Sequence, residues 1–183
     1  MILDAITVGF DGNNLAYYDA QQNPINSYQN LVRLKFKTTR SNGVILYANS
    51  IQNNDYYLVE LKNGIIHIVI DLGSTSESNG AISIECGSLL DDYEWHDLEI
   101  RHSFDLIRAT VDQIVCSARN TGLFSCLNID SRIYVGGVVN HLDRGITTRS
   151  NFNGCIQDMV ILSIDDNWSS LRKIDIFDGN FYK

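Results

Sequence analysis

Apolar and polar residues alternate in short runs along this chain, and turn-forming residues close nearly every run. Asn30 to Lys37 sets the pattern: Leu34 and Phe36 fall on one face of an extended segment, Arg33, Lys35 and Lys37 on the other. A period of two is that of a half-buried β-strand, whose successive side chains point to opposite faces. Ser41-Asn42-Gly43 suits a turn with positive φ, and Val44 to Asn49 reads as the returning strand. Tyr56 to Leu61 and Ile65 to Leu72 flank a second hairpin turn, Lys62-Asn63-Gly64. The later run is almost continuously apolar and β-branched, which predicts a strand central in its sheet or buried on both faces. Gly73 to Gly80 is a loop. Ala81 to Cys86, Trp95 to His102, Leu106 to Val111, Ile114 to Ala118, Arg132 to Val135 and Ile156 to Ser163 continue the series, with Asp112-Gln113 as a turn. Only Trp168 to Ile174 has helical character, for one or two turns. Short strands with turns between them predict an all-β antiparallel sandwich.

Composition narrows this further. A chain of 183 residues suits one large domain or two small ones. With a single proline and no low-complexity linker, a boundary has no obvious place, so one domain over residues 1–183 is expected. The net charge of −8 argues against nucleic acid and anionic membrane surfaces, and suits basic partners or cations. No run approaches the roughly 20 apolar residues of a membrane span, so no membrane insertion is expected. Met1-Ile2-Leu3-Asp4 lacks the basic and long apolar regions of a signal peptide, so the chain reads as a segment of a longer protein.

Three signatures occur in a fixed order: Trp95-His96 at a strand start, Tyr134-Val135-Gly136-Gly137, and Phe152-Asn153-Gly154-Cys155. With the Val32 to Thr38 strand, Asn42 to Leu46, and Asp55 ahead of Tyr57 to Leu61, they resemble a laminin G-like (LNS) domain over nearly the whole chain. Within that family the chain looks most like the neurexin and contactin-associated (neurexin IV-like) branch. The resemblance implies a jelly-roll β-sandwich of concanavalin A-like type. It further implies a non-enzymatic extracellular module of an adhesion receptor or matrix protein, secreted or part of an ectodomain. Such a module binds cell-surface or matrix proteins, or glycans, through loops at one rim. A lectin-like domain and a structural spacer are the competing functions on this scaffold.

The resemblance also implies a calcium site at that rim. Asp55 and Asn128 match its side-chain ligands, and the carbonyls of Leu72 and Cys126 match its backbone ligands. Hard cations take several oxygens, and with one charged ligand the affinity is expected in the roughly 10⁻⁴–10⁻³ M range. Asp130 is a nearby substitute. The same residues also read as Asx turns without metal.

Four cysteines, Cys86, Cys116, Cys126 and Cys155, allow three full pairings, and none forms a C-x-x-C that would suit zinc. For Cys86 and Cys116 a bridge and buried thiols both stand open. In the family, the cysteine matching Cys155 pairs with one near the domain's C-terminus. No cysteine follows Cys155 here, so either the sequence stops short of that partner or Cys155 pairs elsewhere, with Cys126 as the candidate.

Asp97 and Glu99 project from one strand face and so raise a glycosidase reading, which needs two carboxyls roughly 5–9 Å apart. The plain alternative is a wet face of Asp97, Glu99 and Arg101 against an inner face of His96, Leu98 and Ile100. No G-x-S-x-G elbow or metal-binding His pair is present, and the chain is read as a non-enzyme. One glycosylation sequon occurs, Asn167-Trp168-Ser169. The expected rim loops are Ser50 to Asp55, Gly73 to Gly80, Arg119 to Asn128 and Val138 to Ser150. His141, Arg144 and Arg149 in the last are the candidate partner-binding residues.

Overall fold

In the computed structural model, residues 6–73, 81–165, 171–174, 176–177 and 181–182 are described. The sequon and most of the Gly73 to Gly80 loop lie outside them. In chain order the strands are β1 (Thr7–Asp11), β2 (Leu15–Asp19), β3 (Ile25–Lys37), β4 (Gly43–Asn49), β5 (Tyr56–Lys62), β6 (Ile65–Asp71), β7 (Ala81–Cys86), β8 (His96–Ser103), β9 (Leu106–Val111), β10 (Ile114–Arg119), β11 (Leu127–Ile129), β12 (Arg132–Val135), β13 (Asn153–Asp165), β14 (Leu171–Ile174) and β15 (Phe181–Tyr182).

They form two antiparallel sheets. The eight-stranded sheet runs β1-β13-β3-β8-β9-β10, with β11 on β3 and β14 on β13; the seven-stranded sheet runs β15-β2-β12-β4-β5-β6-β7. Their facing sides supply one core, to which Leu34 and Phe36, Leu98 and Ile100, Val59 and Leu61, and Ile66, Ile68 and Ile70 all contribute fully buried side chains. The β8 alternation holds, with His96, Leu98 and Ile100 buried and Asp97 and Arg101 exposed. The Trp168 to Ile174 expectation is corrected where it is described. Leu171–Ile174 is not helical but the strand β14, because its backbone completes the ladder of the long β13.

The signature residues have identifiable jobs. His96 is a clasp: its Nδ1 lies 2.9 Å from Asp112 Oδ2 and its Nε2 3.1 Å from Asp92 Oδ1. Phe152 sits edge-on to both Phe10 and Phe36, at 6.4 Å each. Gly136 has φ +81°, and a Cβ there would lie 2.1 Å from the Phe10 ring, so only glycine lets the strand end pass this aromatic cluster.

Cys86 ends β7 and Cys116 lies in β10, each at an edge of a different sheet, and a disulfide joins them across a Cα separation of 5.9 Å. The bridge therefore staples the two layers together along one side. Cys126 and Cys155 remain thiols, so the pairing considered between them is not formed.

The Val138 to Ser150 segment is not confined to the rim, although its Arg144 reaches the Asn54 carbonyl there. It leaves β12 beside the β3–β4 turn and folds over the outer face of the seven-stranded sheet. Val138 and Ile146 pack there on Val44, Tyr47, Tyr56, Leu58 and Val69, a second apolar cluster separate from the main core. This strap explains why β5 and β6 are buried on both faces. Its anchor is Glu60, fully buried on β5, which accepts the Thr148 N–H at 3.0 Å, the Thr147 N–H at 3.3 Å and the Thr147 hydroxyl. His67 Nδ1 lies 2.8 Å from the same carboxylate. Burial works against the charged form of Glu60, but these bonds outweigh it and hold its pKa below the usual glutamate range.

Candidate functional site

The β4–β5 connection and the segment leading into β11 meet at one end of the sandwich. Asn53, Asp55, Leu72, Gly73, Cys126 and Asn128 line a cavity of about 280 Å³ there, with Tyr28 and the Leu123 to Ser125 segment. All four residues expected to hold calcium thus share one space. Asp55 is 1% exposed, yet it sits at the start of a strand rather than inside the apolar core.

Asn128 fixes the Asp55 carboxylate. Asp55 Oδ2 accepts the Asn128 main-chain N–H at 2.7 Å and its side-chain amide N–H at 2.9 Å. Asp55 Oδ1 is buried and has no hydrogen-bond partner. Burial pushes the Asp55 carboxyl up to about 6, against the two Asn128 bonds, and the neighbouring Asp71 and Asp130 charges push the same way. A buried, orphaned carboxylate oxygen is costly and calls for an occupant. Oxygen ligands from Asp55 and Asn128, with the Leu72 and Cys126 carbonyls, are of the type a hard cation takes. No group of three or more His, Cys, Asp or Glu side chains placed to hold a metal ion occurs among the described residues, so an ion in this cavity would draw on carbonyls as well.

Gly73 is a site residue that pattern reading missed. Its φ is +77°, and a Cβ there would stand 2.6 Å from Asp55 Oδ1 and 2.9 Å from the Asn53 carbonyl. Glycine is what allows the backbone this close to the carboxylate. The available signal was only a glycine directly after a strand ending in Asp71-Leu72.

Other expectations resolve differently. Asp130 caps the neighbouring turn, accepting the Ser50 hydroxyl at 2.9 Å and the Ile51 and Gln52 N–H groups at 2.7 and 3.3 Å. Desolvation opposes its charge, but those bonds hold its pKa below the usual range, and its oxygens are committed to the turn. Arg144 pairs with the buried Asp71 at 2.6 Å, donates to the Asn54 carbonyl at 3.0 Å and stacks over Tyr56. It ties the strap down beside the Asp55 cavity. His141 and Arg149 lie together elsewhere, in a cleft by the β3–β4 turn. Asp97 and Glu99 make surface pairs with Lys35 and Arg101, as the plain reading of that face expects.

Against known families, residues 36–164 match the model of the laminin G domain. The chain belongs to the laminin G family. It is 37% identical over 150 residues to Neurexin-4 of Drosophila melanogaster, covering 82% of this chain and 11% of that protein. That likeness bears out the neurexin branch; the chain spans about a tenth of the relative's length. Among solved structures, the LG1-3 region of the laminin alpha2 chain superposes with a TM-score of 0.76 at 20% identity, covering 96% of this chain and 33% of that one. Domains LG4-5 of the mouse laminin alpha1 chain give 0.73 at 24% identity, covering 94% and 45%. A heptameric SAP-like pentraxin from Limulus polyphemus gives 0.58 at 13%, covering 85% and 74%, which speaks to the sandwich fold alone. Laminin G domains are extracellular, non-enzymatic adhesion and recognition modules, and calcium binding is common among them.

Proposed function

We propose that this domain is a calcium-assisted protein-recognition module of an adhesion receptor or matrix protein, acting outside the cell. Asp55 and Asn128 hold the ion through side chains, and Leu72 and Cys126 hold it through carbonyls. The observation that carries this reading is the buried, unpartnered Oδ1 of Asp55 in a cavity lined by the other three residues. The ion's charge offsets the cost of ionising Asp55 and ties the Ser50 to Asp55 and Leu123 to Asn128 segments together. Around the cavity stand exposed apolar side chains, Ile51 at 71%, Leu123 at 93% and Phe124 at 53%. Apolar and aromatic anchors inside a polar rim are what protein interfaces use. The ion would set the shape of this surface, and the surface would supply the contacts.

The test is adhesion of beads coated with the domain to cultured cells. Adhesion is expected in millimolar calcium, with loss on chelation, on Leu123→Asp and on protease treatment of the cells. Adhesion indifferent to all three treatments contradicts the reading.

A further inference from the structure

The outer face of the seven-stranded sheet carries a chain of hydrogen bonds away from the Asp55 cavity. It crosses three neighbouring strands, from Glu60 on β5 through His67 on β6 to Ser83 on β7. His67 Nδ1 lies 2.8 Å from Glu60 Oε1, and its Nε2 lies 3.0 Å from the Ser83 hydroxyl oxygen. Burial falls outward along the chain: Glu60 is 0% exposed, His67 7%, and Ser83 belongs to the exposed series of β7. The three share one face because their neighbours, Val59 and Leu61, Ile66 and Ile68, Ile82 and Ile84, all point into the core.

Glu60 decides which groups donate. Burial works against its charge, but the bonds from His67, Thr147 and Thr148 outweigh it and keep it a carboxylate at neutral pH. A carboxylate only accepts, so His67 Nδ1 carries a proton. In the neutral imidazole Nε2 is then an acceptor, and the Ser83 hydroxyl donates to it. A serine bonded to a histidine that is itself oriented by a buried acid is an activated nucleophile.

The sheet edge adds a main-chain donor. β7 is the last strand of its sheet. The β5–β6 turn consists of Asn63 and Gly64, both with positive φ, so Lys62 and Ile65 close it as a hydrogen-bonded pair and the pairs alternate from there. Carried across β6 without a register shift, the alternation gives Ile66, Ile68 and Ile70 the bonds to β7. Ser83, opposite Val69, therefore turns its N–H away from the sheet, beside its own exposed hydroxyl.

We infer that Ser83 is a nucleophilic serine that takes the acyl group of small, uncharged esters. Its Oγ bonds to the ester carbonyl carbon while its proton passes to His67 Nε2. The carbonyl π electrons move to oxygen, which the outward Ser83 N–H stabilises. The bond to the leaving alcohol breaks, and that alcohol takes the proton from Nε2. Water repeats the sequence, releasing the carboxylic acid and restoring the serine. The apolar Val69 opposite Ser83 offers a ledge for a short acyl chain, and the exposed Glu85, next on the same face, disfavours anionic esters. A single oxyanion donor costs roughly 10²–10³-fold against a full pair, so turnover is slow and the acyl-serine accumulates.

The experiment treats the whole domain with a fluorophosphonate probe, whose phosphorus bonds to a nucleophilic serine as fluoride leaves. Peptide mass mapping should place the adduct on Ser83, and p-nitrophenyl acetate should give a burst of about one p-nitrophenolate per chain. Ser83→Ala should lose both, with an unchanged thermal melt because the side chain is exposed, while Ser88→Ala, in the following loop, should keep both. Glu60→Gln tests the positioning residue. Its amide oxygen must face the Thr147 and Thr148 N–H groups, which places the NH₂ toward His67 and moves the ring proton to Nε2. Labelling should then slow on the order of 10²–10⁴-fold, the contribution of a general base. Nitrogen NMR of the His67 ring reports the tautomer in the folded variant. No adduct on Ser83, equal labelling of Ser88, or a burst retained in Ser83→Ala overturns the inference. So does labelling at the parent rate in a folded Glu60→Gln whose ring proton has moved; slowed labelling with the proton still on Nδ1 overturns the role of Glu60.

Discussion

Glu60 on β5 accepts a hydrogen bond from the main-chain N–H of Thr148 at 3.0 Å, across 88 positions of sequence. One buried carboxylate thereby fixes the strap to the sheet. Glu60→Ala would strand the Thr147 and Thr148 N–H groups and the ring of His67. The expected cost is about 2–4 kcal/mol, because buried charge-assisted bonds are lost and their donors left unmatched. Urea unfolding measures the cost, and faster amide exchange confined to Ile146 to Thr148 would locate it. An unshifted urea midpoint would contradict the anchoring role.

Arg144 and Arg149 looked alike in the sequence, and the structure separates them. Arg144 neutralises Asp71, whose side chain is 1% exposed. Arg144→Ala should cost about 2 kcal/mol by leaving that charge unpaired, while Arg149→Ala should stay within about 0.5 kcal/mol. Thermal melts of the two variants side by side check this, and equal losses would contradict it.

The disulfide between Cys86 and Cys116 closes a loop of 30 residues between the two sheets. Loop closure of that length is worth about 3–4 kcal/mol in the unfolded-state model. The Cys86→Ala/Cys116→Ala variant should lose about that much by urea unfolding, and reducing agent should affect the parent but not the variant.

Much of the fold was legible because one side of each long strand is dry. Leu34 with Phe36, and Leu98 with Ile100, announce their faces in any reading. The strands missed, β1, β2, β11, β14 and β15, are short or lie at sheet edges and in additions to them, where pairing to a long neighbour decides the conformation more than local pattern does. The strap's path across the sheet was not legible for a related reason. A polar-rich loop says nothing of which surface it covers, and its anchors, Glu60 and Asp71, read as ordinary strand acids. Only the unbroken apolar run of β6 hinted that something covered its outer face. Asp55 and Asn128 were found through family resemblance, since no spacing rule links residues 73 positions apart. Gly73 and Ser83 depend on approach distances and neighbours that exist only after folding.

Asp55 gives the calcium-free protein a distinctive pH response. Its folded pKa of about 6 lies above the unfolded value of roughly 3.9. Between those values the native state keeps a proton that the unfolded chain has released. Stability from this group is therefore complete below about pH 4, falls as pH rises through about 6, and is then constant. The loss is on the order of 2–3 kcal/mol. Asp55→Asn, which cannot ionise, should remove this fall and be more stable than the parent at neutral pH without calcium. Urea midpoints at pH 4.5 and 7.5 test it, and identical pH trends in the two proteins would contradict it.

The most direct measurement is a calorimetric calcium titration at neutral pH, comparing the parent domain with Asp55→Asn. The parent should give a saturable isotherm with Kd of about 10⁻⁴–10⁻³ M, and the folded variant should give none. A parent that takes up no calcium, or a variant that binds it as the parent does, would contradict the account.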